Sequence, residues 1–397
     1  MIMRTVEEHQ KIVAGLFKTR ASQDLPLNDT LGLVLGADVV APLSLPGFDN
    51  SAMDGYAVVA ADIAAATEDS PVRLPVAEDI PAGRTDPLTL RPGTVHRIMT
   101  GAPLPSGATA VVPVEATDGA TDTVTIRAAA REGQHVRRAG EDVTAGTTVL
   151  RAGQVITPAA LGLAAALGLA TLPVLPPQRV MVMSTGTELV APGTELQPGQ
   201  IYESNAVMLA AAVRDAGAQA TIAPMSADDV DAFRAALAEH AVDADLIITT
   251  GGVSAGAYEV VKDSLSDQVE FVKVAMQPGM PQGAGTVNGV PIITLPGNPV
   301  SALVSFEVFV RSPLRAAMGH AEPDRPRRTA QLTEDVTSPR GKRQFRRGVL
   351  TGDTVSSYGP PASHHLRWLA SANCLLEIAE DITELKSGST VPVWDLT

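Results

Sequence analysis

Cysteine, aromatic residues and long apolar runs are all scarce in this 397-residue chain. Cys374 is its only cysteine, so the chain cannot form an internal disulfide, and nothing in it points to an oxidising compartment. Aromatic residues make up 3% of the chain, so we expect cores built from Ala, Val and Leu. The longest apolar run, from Ala159 to Leu172, is too short to cross a bilayer and predicts a buried helix.

Positive charge is also in the minority, with 30 Lys and Arg against 44 Asp and Glu and a formal net charge of −14. A chain of this sign repels nucleic acid and anionic membranes, because phosphate contacts need clustered Lys and Arg. We therefore expect neither nucleic acid nor a membrane as a partner. The amphipathic N-terminus, which carries Glu7 and Glu8, is unlike a secretory signal, so we expect a cytoplasmic protein.

The length predicts two or three domains, and the patterns change along the chain accordingly. Helical periodicity predicts a first helix over residues 3–18 and a short one from Leu31 to Val40. Residues 55–155 hold short β-rich runs between Gly, Pro and Asp turns, which is typical of a small β domain. Thr157 and Pro158 predict the start of another helix, because Thr is a good N-cap and Pro fits the first turn.

Beyond a Pro-rich linker at 173–177, strands and helices alternate. The strands are predicted at 180–183, 246–249 and 291–295, and the helices at 205–215, 228–239 and 299–310, with Asn205, Ser226 and Asn298 as N-caps. This alternation predicts a parallel sheet with helices on both faces. From residue 325 onward the β-rich pattern returns.

Together these patterns predict a multidomain α/β plus β fold. The predicted domains are a discontinuous helical and extended domain (1–45 with 143–176), an inserted small β domain (46–142), a central parallel α/β domain (177–320) and a C-terminal β domain (325–397).

Three predicted strands end in loops suited to binding an anion. These loops are Ser184-Thr185-Gly186, Thr249-Thr250-Gly251-Gly252 and Pro296-Gly297-Asn298. Ligands of open α/β sheets bind outside the carboxyl ends of the strands, and glycine lets backbone N–H groups approach an anion closely. The alternative is that each glycine only makes a tight turn. The chain has neither a Walker motif nor a GxGxxG fingerprint at these loops, which argues against the corresponding nucleotide sites.

Four carboxylates lie in or beside turns and helix starts: Asp54, Asp142, Glu188 and Asp228. Carboxylates placed in this way can hold Mg²⁺, which takes oxygen ligands and often bridges to phosphates. The alternatives are N-caps and ordinary solvated acids, and Asp54 also fits a simple Asp-Gly turn.

A basic cluster lies near the C-terminus: Arg325, Arg327, Arg328, Arg340, Lys342, Arg343, Arg346 and Arg347. Arginine suits oxyanions because its donors form a fixed fork, while the alternative is a solvated face or interdomain salt bridges. His364 and His365 would point to opposite faces of a strand, so they cannot easily chelate one ion. No His, Cys or carboxylate spacing supports zinc.

Several long motifs occur in order: PGFDNSAMDGYAV, RIMTGAPLPSGATAVVPVE, RRAGEDV, STGTELV, GQIYESN, DLIITTGGVSAG and ITLPGNPVSALVSFEVFV. Over residues 5–395 the chain resembles the molybdopterin molybdenumtransferases, the MoeA-type enzymes that include the gephyrin E-domain. Related adenylyltransferases share only the central α/β domain, which would be of the molybdopterin-binding type.

The resemblance implies that adenylyl-molybdopterin and molybdate react, with Mg²⁺ assistance, to give molybdenum cofactor and AMP. It also implies a homodimer, with each site formed between the α/β domain of one subunit and the β domain of the other. The molybdopterin adenylyltransferase and recipient molybdoenzymes would be further partners.

The same resemblance assigns roles by position. The implied catalytic residues are Asp54, Thr100, Asp142, Glu188 and Asp228, of which Glu188 and Asp228 would bind the metal. The implied substrate-binding residues are Ser184, Thr185, Gly186, Gly251, Gly252, Ser254, Glu259, Lys273, Pro296, Gly297, Asn298, Arg347 and Ser363. Among these, Arg347 and Ser363 would hold molybdate.

The chain departs from its relatives at three positions. Glu259 stands where many relatives have Asp, and Gln277 and Met280 stand where relatives often carry Lys. Losing two cations near an anionic substrate should weaken the binding of molybdate or phosphate unless Arg residues compensate. Two other functions remain open at this stage: molybdopterin adenylyl transfer, and a non-catalytic dimeric scaffold of the same fold.

Overall fold

The computed structural model describes residues 3–225, 229–252 and 260–397. The predicted site residues Asp228, Ser254 and Glu259, and the predicted N-cap Ser226, lie outside these ranges. In the part of the chain that the structure describes, no helix is both long enough and apolar enough to cross a bilayer.

The N-terminal half of the chain is mostly β structure. Its helices are α1 (Val6–Ala14) and α2 (Pro158–Ala166), and its strands are β1 (Gln23–Pro26), β2 (Val34–Leu35), β3 (Val39–Val40), β4 (Asn50–Ser51), β5 (Gly55–Val58), β6 (Val72–Ile80), β7 (Val95–Ile98), β8 (Ala110–Pro113), β9 (Thr123–Ile126), β10 (Val136–Arg137), β11 (Thr148–Leu150) and β12 (Thr171–Leu175). Five of these strands form one sheet in the order β8-β5-β7-β6-β9, which we call the N-terminal sheet. Its buried face packs Tyr56, Val58 and Ile63 into a common core.

Two predicted helices in this half need correction. The first is shorter than predicted, because Thr5 and Glu8 form a capping box that starts it at Val6. The helix predicted from Leu31 to Val40 is wrong. Its residues instead form β2 and β3, which pair with β12 and β11 more than a hundred residues away. The helix from Pro158 is confirmed, and the Thr157 side chain caps it.

The middle of the chain forms an α/β unit. Its strands are β13 (Arg179–Ser184), β14 (Leu189–Val190), β15 (Ile201–Tyr202), β16 (Gln219–Ile222), β17 (Leu246–Thr250), β18 (Val269–Lys273), β19 (Met276–Gln277), β20 (Pro281–Val287) and β21 (Val290–Leu295), and its helices are α3 (Asn205–Asp215), α4 (Val230–His240), α5 (Val260–Leu265) and α6 (Pro299–Ser305). Six strands form the central sheet, in the order β16-β13-β17-β21-β20-β18. Helices α3 and α6 cover one face and α4 and α5 the other, so helices lie on both faces as predicted.

The central sheet is only partly parallel, which corrects the prediction. Its first four strands are parallel, but β20 and β18 run antiparallel to their neighbours. Asn288 and Gly289, at φ 52° and 84°, join β20 to β21 in a two-residue hairpin. Asn-Gly is a strong hairpin signal because both residues tolerate positive φ, so the sequence contained this information.

The C-terminal part closes into a barrel. After the π-helical turn Phe306–Val310 and helix α7 (Arg311–Ala317), the remaining elements are β22 (Arg327–Leu332), β23 (Val336–Thr337), β24 (Arg343–Thr351), β25 (Thr354–Ser357), α8 (Leu366–Ala370), β26 (Cys374–Ile378), β27 (Glu384–Leu385) and β28 (Thr390–Asp395). Strands β24-β25-β22-β28-β26 form a ring, because β26 also pairs with β24; we call it the C-terminal barrel. Strand β19 of the α/β unit pairs with β24, so the barrel is joined to the central unit by backbone hydrogen bonds.

Candidate active site

A cleft of about 1340 Å³ opens at the carboxyl ends of β13, β17 and β21. Eleven of the predicted site residues line it: Ser184, Thr185, Gly186, Glu188, Gly251, Gly252, Lys273, Pro296, Gly297, Asn298 and Ser363. The three strand-end loops therefore meet at one place, as expected for an open α/β sheet.

Glycine is required where the loops touch. Gly251 has φ +94°, and a Cβ added there would lie 2.7 Å from the carbonyl oxygen of Thr185. A Cβ on Gly297 would lie 3.4 Å from the Cα of Gly251. Both a positive φ and a close backbone approach exclude a side chain at residue 251. This glycine therefore allows the three loops to come close together, in addition to making a turn.

Asn205 ties the loops together. Its Nδ2 donates to the Thr250 hydroxyl at 2.9 Å and to the Gly297 carbonyl at 2.7 Å. We predicted that Asn205 caps α3, but it is the first residue of the helix, and Ser204 holds the cap position without a side-chain bond. The amide of Asn205 is thus used to join neighbouring strand ends.

Glu203 takes over the capping role and was missed by the sequence analysis. Its side chain is buried, and Oε1 accepts hydrogen bonds from the Ser184 hydroxyl at 2.8 Å and from the Ala206 N–H at 2.7 Å. The carboxylate therefore satisfies the N-terminus of α3 and fixes Ser184 at once. An acidic residue just before a predicted helix was the available signal, because anions favour helix N-termini.

Three buried polar atoms of residues that line the cleft lack a partner. The Thr185 hydroxyl, the Asn205 Oδ1 and the Gln282 Oε1 are buried and have no hydrogen-bond partner among the described residues. Buried polar groups are nearly always hydrogen-bonded in native proteins, so an orphaned group at a cleft indicates a place for water or a ligand.

The motif resemblance assigns Glu188 and Asp228 to the metal, and of these two Glu188 lies within the described ranges. It lies exposed at the cleft. The described residues contain no group of three or more His, Cys, Asp or Glu side chains that could enclose a metal ion. Mg²⁺ usually binds through one or two carboxylates, keeping waters and substrate phosphates as its other ligands, so an open carboxylate suits this ion.

Asp54 and Thr100 form a second group, in the N-terminal sheet. One carboxylate oxygen of Asp54 accepts from the Thr100 N–H and from its hydroxyl, both at 2.7 Å. The Thr100 N–H, followed by its hydroxyl, holds the pKa of the exposed Asp54 carboxyl below its ordinary value. Asp142 is exposed as well, and none of these three residues lines the cleft at the central sheet.

Much of the basic cluster is held in salt bridges, so that alternative is confirmed for several of its members. Arg325 pairs with Glu307 and Asp215, Arg328 with Asp395, and Arg343 with Glu7, Glu377 and Glu380. Several of these pairs link the C-terminal barrel to α1, α3 or the segment 306–310. These arginines fasten parts of the chain together.

Arg347 binds the loop that carries Ser363 to the cleft. Its guanidinium is buried, at 3% exposed, and donates to the backbone carbonyls of Pro360, Ala362 and His365. Burial lowers its pKa. The motif resemblance assigns Arg347 and Ser363 together to molybdate, and of the two only Ser363 lines the cleft. The Nη1 and Nη2 atoms of Arg347 donate to the loop that carries Ser363.

Three family models match successive parts of the chain. They are the MoeA N-terminal region (domain I and II) at residues 4–168, a probable molybdopterin binding domain at residues 181–316, and the MoeA C-terminal region (domain IV) at residues 329–396. The order and extent of these matches agree with the resemblance noted in the motifs.

Curated relatives and solved structures match over the whole length. Molybdopterin molybdenumtransferase 2 of Mycobacterium tuberculosis (strain H37Rv) is 67% identical over 405 residues, covering 100% of both chains. Molybdopterin molybdenumtransferase of Bacillus subtilis is 33% identical, covering 98% of this chain and 93% of its own. The crystal structure of the molybdopterin biosynthesis moea protein from Pyrococcus horikosii superposes with a TM-score of 0.84 at 30% identity, covering 100% of both chains. The multidomain α/β plus β fold is thereby confirmed.

Proposed function

Because the chain belongs to the molybdopterin molybdenumtransferase family, we propose that it inserts molybdate into adenylyl-molybdopterin, with release of AMP, to form molybdenum cofactor. The observation that carries this proposal is the cleft at the strand ends. Its size suits a nucleotide-linked pterin, and it combines glycine loops with the orphaned hydroxyl of Thr185. Short glycine loops suit phosphate groups because they bring backbone N–H groups close to the anion.

The chemistry asks little of the protein beyond placing charge, because an oxygen of water or molybdate attacks the phosphoanhydride and AMP is the leaving group. Cleavage of a phosphoanhydride needs positioning and electrostatic stabilisation, and no nucleophilic side chain is required. In the proposed mechanism the loops at Gly251 and Gly297 hold the phosphate groups, while Lys273 and Ser363 face the anions. Glu203 keeps Ser184 oriented, and Arg347 keeps the Ser363 loop closed against the cleft.

We propose Glu188 and Asp228 as the residues that hold Mg²⁺. The exposed carboxylate of Glu188 fits the oxygen chemistry of this ion. When bound, Mg²⁺ would neutralise charge on the phosphoanhydride as AMP departs.

Asp54, Thr100 and Asp142 would act from the other subunit of a homodimer. What supports this is their position, because they lie outside the cleft of their own chain although the motif resemblance assigns them to the reaction. A cytoplasmic location, and contacts with the molybdopterin adenylyltransferase and recipient molybdoenzymes, belong to the same proposal.

The test is release of AMP from purified adenylyl-molybdopterin, measured with and without molybdate and Mg²⁺. We expect release that requires both ions, and a loss of at least about a hundredfold in Glu188→Ala. Glu195→Ala, an exposed glutamate in the same segment, is the matched control and should retain activity. No AMP release above a protein-free reaction would overturn the proposal. Consumption of ATP with release of pyrophosphate would favour adenylyl transfer instead.

A further inference from the structure

One wall of the cleft is uncharged. It is formed by β19 and the turn after it, and both Gln277 and Met280 line the cleft. The Gln277 Oε1 is engaged, since it accepts a hydrogen bond from Gln344 Nε2 at 3.2 Å. This wall therefore offers no cation of its own to the anionic substrates of the proposed reaction.

Lys342 reaches the same cleft from the C-terminal barrel. Strand β19 runs parallel to β24, with Met276 opposite Arg343 and Gln277 opposite Gln344. Lys342 directly precedes β24 and stands two residues before Gln344, whose side chain donates to Gln277.

The backbone around Lys342 is held in place. On one side the Gly341 N–H donates to the Glu380 carbonyl at 2.8 Å, and on the other the Arg343 N–H donates to the Ala275 carbonyl at 2.9 Å. These two bonds anchor residue 342 to both the barrel and the segment before β19. The side chain of Lys342 is half-buried and lines the cleft.

The residue next to Lys342 has several carboxylate partners, whereas Lys342 has none among the described residues. Arg343, the next residue, engages Glu7, Glu377 and Glu380. Within residues 3–225, 229–252 and 260–397, Lys342 makes no ion pair and no side-chain hydrogen bond. A cation in an acidic chain that is left without a carboxylate raises the local positive potential of the cleft, and this favours anion binding.

We propose that Lys342 binds an oxyanion of the substrates at the β19 wall of the cleft. The inference rests on the proposed function and adds to it a substrate-binding residue from the C-terminal barrel. A lysine suits this role because its ammonium group is a compact point charge on a flexible stem. The oxyanion is either free molybdate or a phosphate of the adenylylated pterin, which share tetrahedral oxygens and negative charge.

The first test is steady-state kinetics of Lys342→Gln in the full-length protein. We expect the KM of one substrate to rise roughly fivefold at low salt with kcat within about twofold, because an ion pair in a partly exposed cleft contributes modestly. The substrate whose KM rises identifies the oxyanion. Lys386→Gln is the control, since Lys386 pairs with Asp335 and Glu384 away from the cleft and should change neither constant. Values of KM for both substrates within about twofold of wild type would overturn the proposal.

The second test moves the positive charge from position 342 to position 277, on the neighbouring strand β19. Adding Gln277→Lys to Lys342→Gln should bring the raised KM back to within about twofold of wild type, because position 277 borders the same wall. If the double variant stays as weak as the single one, the role of Lys342 as a local cation is refuted.

Equilibrium binding separates this inference from the proposed function. Molybdate alone and inorganic pyrophosphate alone are titrated into wild type and Lys342→Gln by calorimetry. We expect one of the two anions to bind roughly fivefold more weakly to the variant. If wild type releases no AMP, the proposed reaction fails, but the titrations still test the role of Lys342. The inference is refuted if Lys342→Gln binds each of the two anions with the same dissociation constant as wild type.

Discussion

The cleft of the central sheet and the loop at residues 52–54, which we call the Asp54 loop and which leads into β5 of the N-terminal sheet, hold their polar groups in opposite ways. In the cleft, buried groups bind one another, as Glu203 binds Ser184 and Asn205 binds Thr250. Asp54 is exposed, and its carboxylate is held by Thr100 alone among the described residues. The cleft is therefore built to bind something of fixed shape, whereas the Asp54 loop presents one oriented charge.

This difference indicates which region would bind substrate and which would act on the reacting group. A preformed cleft can bind substrate within a single chain, because its loops already meet there. An exposed, ionised carboxylate acts only when a reacting group is brought to it. We interpret the two regions as complementary halves of a composite site in the proposed homodimer.

The sharpest test of this division is complementation between two inactive variants. Asp54→Ala and Glu188→Ala should each lose AMP release by at least about a hundredfold, because each removes a charge placed at the reaction. A heterodimer of the two, purified through two different tags, contains one site with both residues intact. It should recover about half of the wild-type activity, as the two-fold symmetry of the dimer requires.

The control for complementation pairs two changes on the same side. A heterodimer of Asp54→Ala with Asp142→Ala has a defect in both sites and should stay inactive. If the Asp54→Ala and Glu188→Ala heterodimer is also inactive, while remaining dimeric, the assignment of Asp54 and Glu188 to different subunits is wrong.

Much of the cleft could be predicted from the sequence because its signals are local. Each strand run is followed directly by its Thr-Gly or Pro-Gly end, and an open sheet gathers strand ends at one edge. The structure brings the loops at 184–186, 249–252 and 296–298 together accordingly. The Asn288-Gly289 hairpin was equally local, and neglecting it made the sheet appear wholly parallel.

What could not be predicted depends on contacts between distant residues. The segment from Leu31 to Val40 has helical periodicity, but its partners at 148–150 and 171–175 stabilise it as strands. Thr100 and Asp54 are 46 residues apart, so each could be named as a candidate but their bond could not. Arg347 was assigned to molybdate because its position matched a motif, and only the fold reveals that its Nη1 and Nη2 atoms also donate to the loop that carries Ser363. The domain boundaries stay a prediction.

A smaller effect is expected from removing the hydrogen bonds that Glu203 accepts in the cleft. Glu203→Leu leaves the Ser184 hydroxyl and the Ala206 N–H without their acceptor, and an unsatisfied buried donor costs about 1–3 kcal/mol. We expect a loss of this size in the opening free energy of α3, measured by native-state hydrogen exchange.

Two further variants serve as controls for the effect of Glu203→Leu. Glu203→Gln keeps an acceptor oxygen and should cost about 1 kcal/mol or less. Glu195→Leu, at an exposed position of the same segment, should leave exchange in α3 unchanged. Equal protection of α3 in Glu203→Leu and wild type would mean that the buried carboxylate does not hold the cleft together.

The smallest effect is expected at the Asp54 loop, from Thr100→Val. Valine removes the hydroxyl donor but keeps the backbone N–H, which is the main cause of the lowered pKa of Asp54. The pKa of Asp54 should therefore rise only part of the way to its ordinary value, and the carboxylate should remain ionised at neutral pH. A carboxyl with a lowered pKa stays charged until the pH falls through that pKa, so the acid limb of activity should move to higher pH.

Carbon-13 NMR titration of the Asp54 carboxyl measures this shift directly, and AMP release at neutral pH should fall by only a few-fold because one donor still orients the carboxylate. Thr100→Ser keeps both donors and should titrate like wild type. If Thr100→Val leaves the Asp54 titration unchanged, the hydroxyl does not contribute to holding this charge. If Thr100→Val instead abolishes activity while Asp54 titrates like wild type, Thr100 contacts substrate itself, and the Asp54 loop presents two reacting groups instead of one.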